Sequence, residues 1–179
     1  MKNFLIFIIG LPCSGKSTVA KAISEKYKFI HLATEDVRAE FLGKDFNKSE
    51  DCDFTPKQHK IVYAAVANRA KKALNNGRSV IVDGVYRNPI QRAPIIELTL
   101  LEVIPLFYFL NCDEEESFRR LIQRKKVGTT APAGVNAFKK IRKEFIYPNE
   151  ADFTCFDTTL GTKLVIKDIC EKLEGYLNA

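Results

Sequence analysis

Histidine, paired cysteine, glycine, proline and long apolar stretches are all scarce in this chain, and each shortage removes a class of protein. His31 and His59 are the only histidines. The five cysteines, Cys13, Cys52, Cys112, Cys155 and Cys170, are odd in number, widely spaced and without a CxxC pair. That pattern argues against a disulfide framework and against a zinc site. Each cysteine is expected to be a small buried apolar residue, and a reducing cytoplasm fits their free state. The apolar run near the amino terminus, Phe4–Ile9, follows a lysine and mimics a signal peptide. It is too short to cross a membrane and runs into a glycine-containing loop that cleavage would destroy, so it reads as a buried strand. No other segment approaches membrane length, and no membrane partner is expected. With few Gly and Pro, no internal repeat and no segment of disordered composition, the 179 residues read as one domain, 1–179. A chain of this length buries roughly 70% of the surface exposed when unfolded and needs no covalent staple.

Charge is less decisive. Lys and Arg total 28 against 22 Asp and Glu, a net charge of +6. Solvated lysines account for such an excess. The alternative is a basic face for nucleotides, phosphates or nucleic acid.

Short apolar runs alternate with helical patterns. Phe4–Ile9, Phe29–Leu32, Ser79–Asp83, Ile104–Leu110 and Phe153–Phe156 read as strands. Between and after them, Lys16–Tyr27, Glu35–Phe41, Pro56 to about Asn76, Asn88–Leu101, Asp113–Lys126, Asn136–Phe145 and Lys163–Leu177 read as helices. Thr34 is expected to cap the second helix, Pro56 to begin the third, Gly77 to stop it, and Pro94 to begin or kink the fourth. Gly43–Thr55 and Gly128–Gly134 are expected as loops. This alternation predicts an α/β fold: a three-layer α/β/α arrangement around a five-stranded, mainly parallel sheet, with ligands at the carboxyl ends of the strands.

The motif at the first such end is Gly10-Leu11-Pro12-Cys13-Ser14-Gly15-Lys16-Ser17-Thr18, which fits G-x-x-x-x-G-K-[ST] with a strand before and a helix after. Glycines let backbone N–H groups converge on phosphate oxygens, and the helix start adds its positive dipole end. Lys16 supplies a point charge for the outer phosphates, and the Ser17 hydroxyl suits magnesium. The whole loop is therefore expected to hold ATP and Mg²⁺. Asp83 ends the third strand and can serve the magnesium or orient an acceptor. Gly84 follows it, where motor ATPases commonly carry a glutamate for activating water, and no [NT]-K-x-D sequence for reading guanine is present. Both absences favour a kinase over a hydrolase.

Thr34-Glu35-Asp36-Val37-Arg38 adds two adjacent carboxylates. On a helix these point about 100° apart, so at most one faces a given cleft. A kinase needs a carboxylate to take the acceptor hydroxyl proton, and either Glu35 or Asp36 could be that base. Arg38 shares the helical face of Glu35. A solvated charged helix is the plainer alternative. Arg120 and Arg124, spaced i, i+4, suit the charge that spreads over a transferring phosphoryl group, and Lys125–Gly134 could let this segment close as a lid. His31 is expected to be structural and His59 exposed. Tyr63 is expected in the core, and Tyr86 and Arg87 beside an acceptor pocket.

Taken in order, these stretches, with Phe109-Leu110-Asn111-Cys112-Asp113 and Phe156-Asp157-Thr158, resemble the P-loop kinase family that includes 5′-hydroxyl polynucleotide kinases, zeta toxins and related small-molecule kinases. The resemblance covers nearly the whole chain. It implies an ATP-dependent phosphotransferase with a hydroxyl acceptor, either a small metabolite or a polynucleotide 5′ end, and a helical lid over about 113–146. By position it puts Glu35 in the place of the base, where the family more often has aspartate, with Asp36 the alternative because the glutamate side chain is longer, and Arg38 as an arginine for an acceptor phosphate. Arg124 looks like the lid arginine, with Arg120 beside it, and Asp157 is similar to a residue near the adenine. A second resemblance is to nucleoside monophosphate kinases. Val82-Asp83-Gly84-Val85-Tyr86-Arg87 is similar to their Asp-Gly-Phe-Pro-Arg stretch, although their phosphate loop continues Gly-Lys-Gly-Thr where this one has Gly15-Lys16-Ser17-Thr18. A nucleotide-dependent regulatory protein without an acceptor is the remaining alternative.

Overall fold

In the computed structural model, residues 3–43, 54–126 and 134–178 are described. The expected loop positions 44–53 and 127–133, with Cys52 and most of the loop of the expected lid, lie outside them. The described elements run β1 (Asn3–Gly10), α1 (Lys16–Tyr27), β2 (Ile30–Ala33), α2 (Thr34–Leu42), α3 (Pro56–Asn75) and β3 (Val80–Gly84). Next come α4 (Pro89–Ile96), which continues as a 3-10 turn over Glu97–Leu100, and β4 (Val103–Asn111). The last are α5 (Glu114–Lys126), α6 (Val135–Glu144), β5 (Phe153–Asp157) and α7 (Lys163–Leu177).

The strands form one sheet in the order β2-β3-β1-β4-β5. Every described pairing is parallel, a stricter result than the mainly parallel sheet expected. Strand β1 sits at the centre, and its alternate side chains feed two separate cores. Leu5, Phe7 and Ile9 pack with α3, α4 and residues such as Val80 and Val82. Phe4, Ile6 and Ile8 pack on the other face with Val19, Ala20 and Ile23 of α1 and Val165, Ile169 and Leu173 of α7. The three layers follow from this two-sided burial. Parallel pairing brings the carboxyl ends of β1 and β3 side by side, with Ile8 opposite Asp83.

Three local expectations are corrected. Thr34 is the first residue of α2, not its cap; the cap is Ala33, which offers no side-chain bond. The Thr34 hydroxyl instead donates to the Asp83 carbonyl at 2.9 Å, so it ties α2 to the end of β3. Pro94 does not begin α4, the first of the two alternatives expected for it; Pro89 takes the first-turn position, with the Asn88 side chain capping the helix, and Pro94 lies inside it. Cys155 is exposed on edge strand β5, whereas Cys13, Cys112 and Cys170 are buried as expected. By contrast, Pro56 does begin α3, with Thr55 and Gln58 in a reciprocal capping box, and Gly77 follows its end at φ 71°. Among the described residues, no helix is long and apolar enough to cross a membrane.

Candidate active site

The phosphate loop leaves the buried centre of the sheet and turns into α1. Gly10 has φ 155°, and a Cβ there would lie 2.3 Å from the Leu110 carbonyl oxygen on neighbouring β4. Gly15 has φ 86°, and its Cβ would lie 2.5 Å from a methyl of Thr162. The loop can pass this close to its neighbours only without side chains at these positions. Gly10→Ala is accordingly expected to destabilise the fold by about 1–3 kcal/mol through overpacking. It should also weaken nucleotide binding; denaturant melts and calorimetry read the two effects separately.

Lys16 is buried, and its Nζ donates to the Leu11 carbonyl at 2.7 Å. Burial lowers its pKa to about 8, against the opposing pull of Asp83. The Ser17 hydroxyl donates to Asp83 Oδ2 at 2.8 Å, and His31 Nε2 lies 2.6 Å from Asp83 Oδ1. Among the described residues, no group of three or more His, Cys, Asp or Glu is placed to hold a metal. The Ser17 hydroxyl and the Asp83 carboxylate, in contact at the end of the phosphate loop, offer the hard oxygen donors that suit magnesium. Ser17 and Asp83 would hold it, and all their donor atoms are oxygen.

A second wall comes from α2. Glu35 is half-buried, and Asp36 is exposed. Burial raises the Glu35 pKa; Arg38 and Lys16 pull it down, while Asp36 and Asp83 push it up. Glu35 is thus within electrostatic reach of the phosphate-loop lysine and of Asp83. The Arg38 guanidinium stacks 4.6 Å from the centre of the Phe54 ring and sits beside the Tyr63 hydroxyl.

Tyr63 packs in the core as expected, whereas the expectations for His59 and Tyr86 are corrected. His59 is half-buried, not exposed, and stacks nearly parallel to Tyr63 at 5.9 Å. Its Nε2 lies 2.8 Å from Arg87 Nη2, and a guanidinium can only donate, so this nitrogen carries no proton. Burial, Arg87 and Arg38 together push its pKa down to about 4, in keeping with a neutral ring. Arg87 also pairs with Glu144 of α6 at 2.7 Å. Tyr86 does not line an open pocket. It is fully buried against Phe7 and Tyr63, with φ 45°.

The arginines of α5 approach the loop from above. Arg120 Nη2 donates to the Thr158 and Thr159 carbonyls at 2.7 and 3.0 Å, Nη1 to the Cys13 carbonyl at 3.3 Å, and Nε to Glu116 at 2.7 Å. Its guanidinium therefore braces the phosphate loop against the turn after β5. Arg124 is half-buried, and its charge acts on Cys13 and Lys16. Helices α5 and α6 meet that loop through an apolar contact of Leu121 and Phe138 with Cys13. Asp157 is exposed at the end of β5, where it accepts from Thr159 N and Oγ1.

Two sets of contacts around the site could not be read from the sequence. The Thr158 hydroxyl lies 2.8 Å from the carbonyls of both Ser14 and Asn111. Arg92 is completely buried and binds Glu150 and the carbonyls of Tyr86 and Ile146. His31 was visible as a strand histidine, but its link to Asp83 depends on the pairing of β2 with β3.

Comparison with known proteins agrees with this geometry. Residues 5–148 match a family described as the AAA domain. UMP-CMP kinase 3 of Arabidopsis thaliana is 35% identical over 130 residues, which cover 70% of this chain and 63% of that protein. The chain thus spans less than two thirds of the length of this curated relative. A sugar kinase from Janibacter sp. HTCC2649 superposes with a TM-score of 0.78 at 12% identity, over 97% of this chain and 95% of the other. A gluconokinase from Sinorhizobium meliloti 1021 does so at 0.71 and 18%, over 93% and 90%. The matched family model and the central-strand phosphate loop with its paired Ser17 and Asp83 lead to one conclusion: this chain belongs to the AAA-domain family and has the fold of P-loop kinases.

Proposed function

We propose that the protein transfers the γ-phosphoryl group of ATP to a hydroxyl group, on a small metabolite or a polynucleotide 5′ end. The observation that carries this reading is the position of Glu35. A half-buried carboxylate with a raised pKa, within electrostatic reach of Lys16 and Asp83, suits removal of a hydroxyl proton. An acceptor that is already a phosphate needs no such base, and a carboxylate there repels it. In the proposed reaction, Glu35 takes the proton as the acceptor oxygen bonds to the γ-phosphorus. The bond from that phosphorus to the β–γ bridging oxygen breaks, and ADP leaves. Phosphate-loop amides and Lys16 hold the donor, and Arg124 lies where charge grows. Magnesium, when bound, neutralises phosphate charge. Asp157 stands near the adenine in this reading, and α5 with α6 forms the lid.

A nucleoside monophosphate is the second acceptor class to weigh. The Asp83–Arg87 stretch and the likeness to UMP-CMP kinase 3 favour it. Transfer of γ-labelled phosphate to a panel decides between the two. Label on sugars, nucleosides or 5′-hydroxyl DNA or RNA is the expected result. Label only on nucleoside monophosphates overturns the hydroxyl reading. No label on any acceptor, with nucleotide still bound, favours a regulatory protein.

The depressed Lys16 pKa gives a pH signature. Its ammonium is present below about pH 8 in the free protein and is lost above that value. The charge that holds the outer phosphates disappears with the proton. Hence kcat/KM for ATP is expected to fall with unit slope above about pH 8, and a Lys16→Arg variant should not show that limb.

A further inference from the structure

We propose that His31 is a positioning residue for magnesium–nucleotide binding, its Nε2–H holding the Asp83 carboxylate in the orientation that serves the cation. The proposal rests on the reading of Ser17 and Asp83 as the magnesium side of the site. The parallel pairing of β2 with β3 places His31 opposite Ile81 and Ala33 opposite Asp83. His31 and Asp83 are therefore two positions apart on one face of the sheet, within reach of an imidazole ring.

Asp83 is 3% exposed, so its charge needs partners. Both carboxylate oxygens have one: Oδ2 accepts from the Ser17 hydroxyl at 2.8 Å, and Oδ1 takes His31 Nε2 at 2.6 Å. A carboxylate only accepts, so this nitrogen carries the hydrogen. The Asp83 carbonyl is fixed as well, by Thr34. Of the two side-chain donors, Ser17 is itself a candidate cation ligand. His31 is not, and its bond serves orientation alone. Partners of this kind set the angle and basicity of a ligating carboxylate, and their removal typically lowers metal affinity 10–100-fold.

Calorimetric titration with ATP, in magnesium and in EDTA, tests this on the wild type and on His31→Gln, His31→Asn and Asp83→Asn. Circular dichroism confirms that each is folded. A glutamine amide reaches about as far as imidazole Nε2, and an asparagine amide falls short. The tightening of ATP binding by magnesium is expected to survive in His31→Gln and to shrink about 10-fold in His31→Asn. Affinity in EDTA should be unchanged in both, an outcome that a merely structural role for His31 does not give. Full retention of the magnesium effect in His31→Asn overturns the proposal, as does equal loss in both histidine variants. If the effect is lost in Asp83→Asn but kept in His31→Asn, this inference alone fails. If the wild type shows no magnesium effect, or Asp83→Asn keeps it, the underlying reading of the site fails instead.

Discussion

Glu35→Gln is expected to lower turnover with a verified acceptor by about 10²–10⁴-fold, with binding of magnesium–ATP unchanged. The amide keeps the shape of the side chain and removes its ability to take a proton. Asp36→Asn is expected to change little, because Asp36 is exposed on the neighbouring side of α2. The reverse pattern, with Asp36→Asn inactive and Glu35→Gln active, transfers the role to Asp36. The pH profile provides an independent check. Burial raises the Glu35 pKa above 4.5. The base works only when ionised, so kcat/KM for the acceptor should decline as pH falls through that raised value. This acid limb should be missing from the residual activity of Glu35→Gln.

Arg92→Ala carries the largest expected loss of stability, about 3–5 kcal/mol. Arg92 has no exposed surface, and its Nη1 donates to the Tyr86 carbonyl at 2.9 Å and the Ile146 carbonyl at 3.0 Å. Its Nε and Nη2 grip the two oxygens of Glu150. Truncation takes the Arg92 donors from two carbonyls and leaves the Glu150 carboxylate with only the Asn149 N–H, and it opens a cavity at the join between α4 and the segment after α6. For a domain of this size the loss corresponds to a fall in Tm of roughly 6–20 °C. Lysine cannot reproduce the planar fork, so Arg92→Lys should recover only part of it. Burial works against the Glu150 charge, yet Arg92 and the Asn149 N–H hold its pKa below the ordinary 4.5. The stability from this pair is therefore present above pH 4.5 and is lost as pH falls through the lower folded value. The gap between wild type and variant should narrow in acid. A gap that stays constant with pH, or a melting point within a degree or two of the wild type, contradicts the account.

These two residues differ in how far the sequence announced them. Glu35 stood in a recognisable order of motifs: a phosphate loop, then an acid with an arginine three positions on, then an aspartate ending a strand. Each motif falls at the end of an apolar run, and apolar periodicity is what a sequence displays best. The choice between Glu35 and Asp36 was not readable, because it depends on which side of α2 faces β3. Thr34 misled for a related reason. A threonine before a helix looks like a cap, and only the neighbouring strand reveals Asp83 as its partner. Arg92 gave no warning at all. An arginine between Gln91 and Ala93 in a short proline-containing helix looks solvated, and its carboxylate partner is 58 positions away. His59 was misjudged likewise, since its burial is created by Phe54, Tyr63 and Arg87 meeting around it.

The contact of the Thr158 hydroxyl with the Ser14 carbonyl has a consequence for the order in which the protein becomes competent. The two residues are 144 positions apart. The phosphate loop is translated well before the turn after β5, as part of the strand that becomes the centre of the sheet. The hydroxyl that steadies it, and the carbonyls that accept from Arg120, arrive only after the far edge of the sheet has been translated. A ribosome-bound chain that stops short of that edge carries the complete phosphate-loop motif with its rear support missing, so the loop is braced only after β5 has been made.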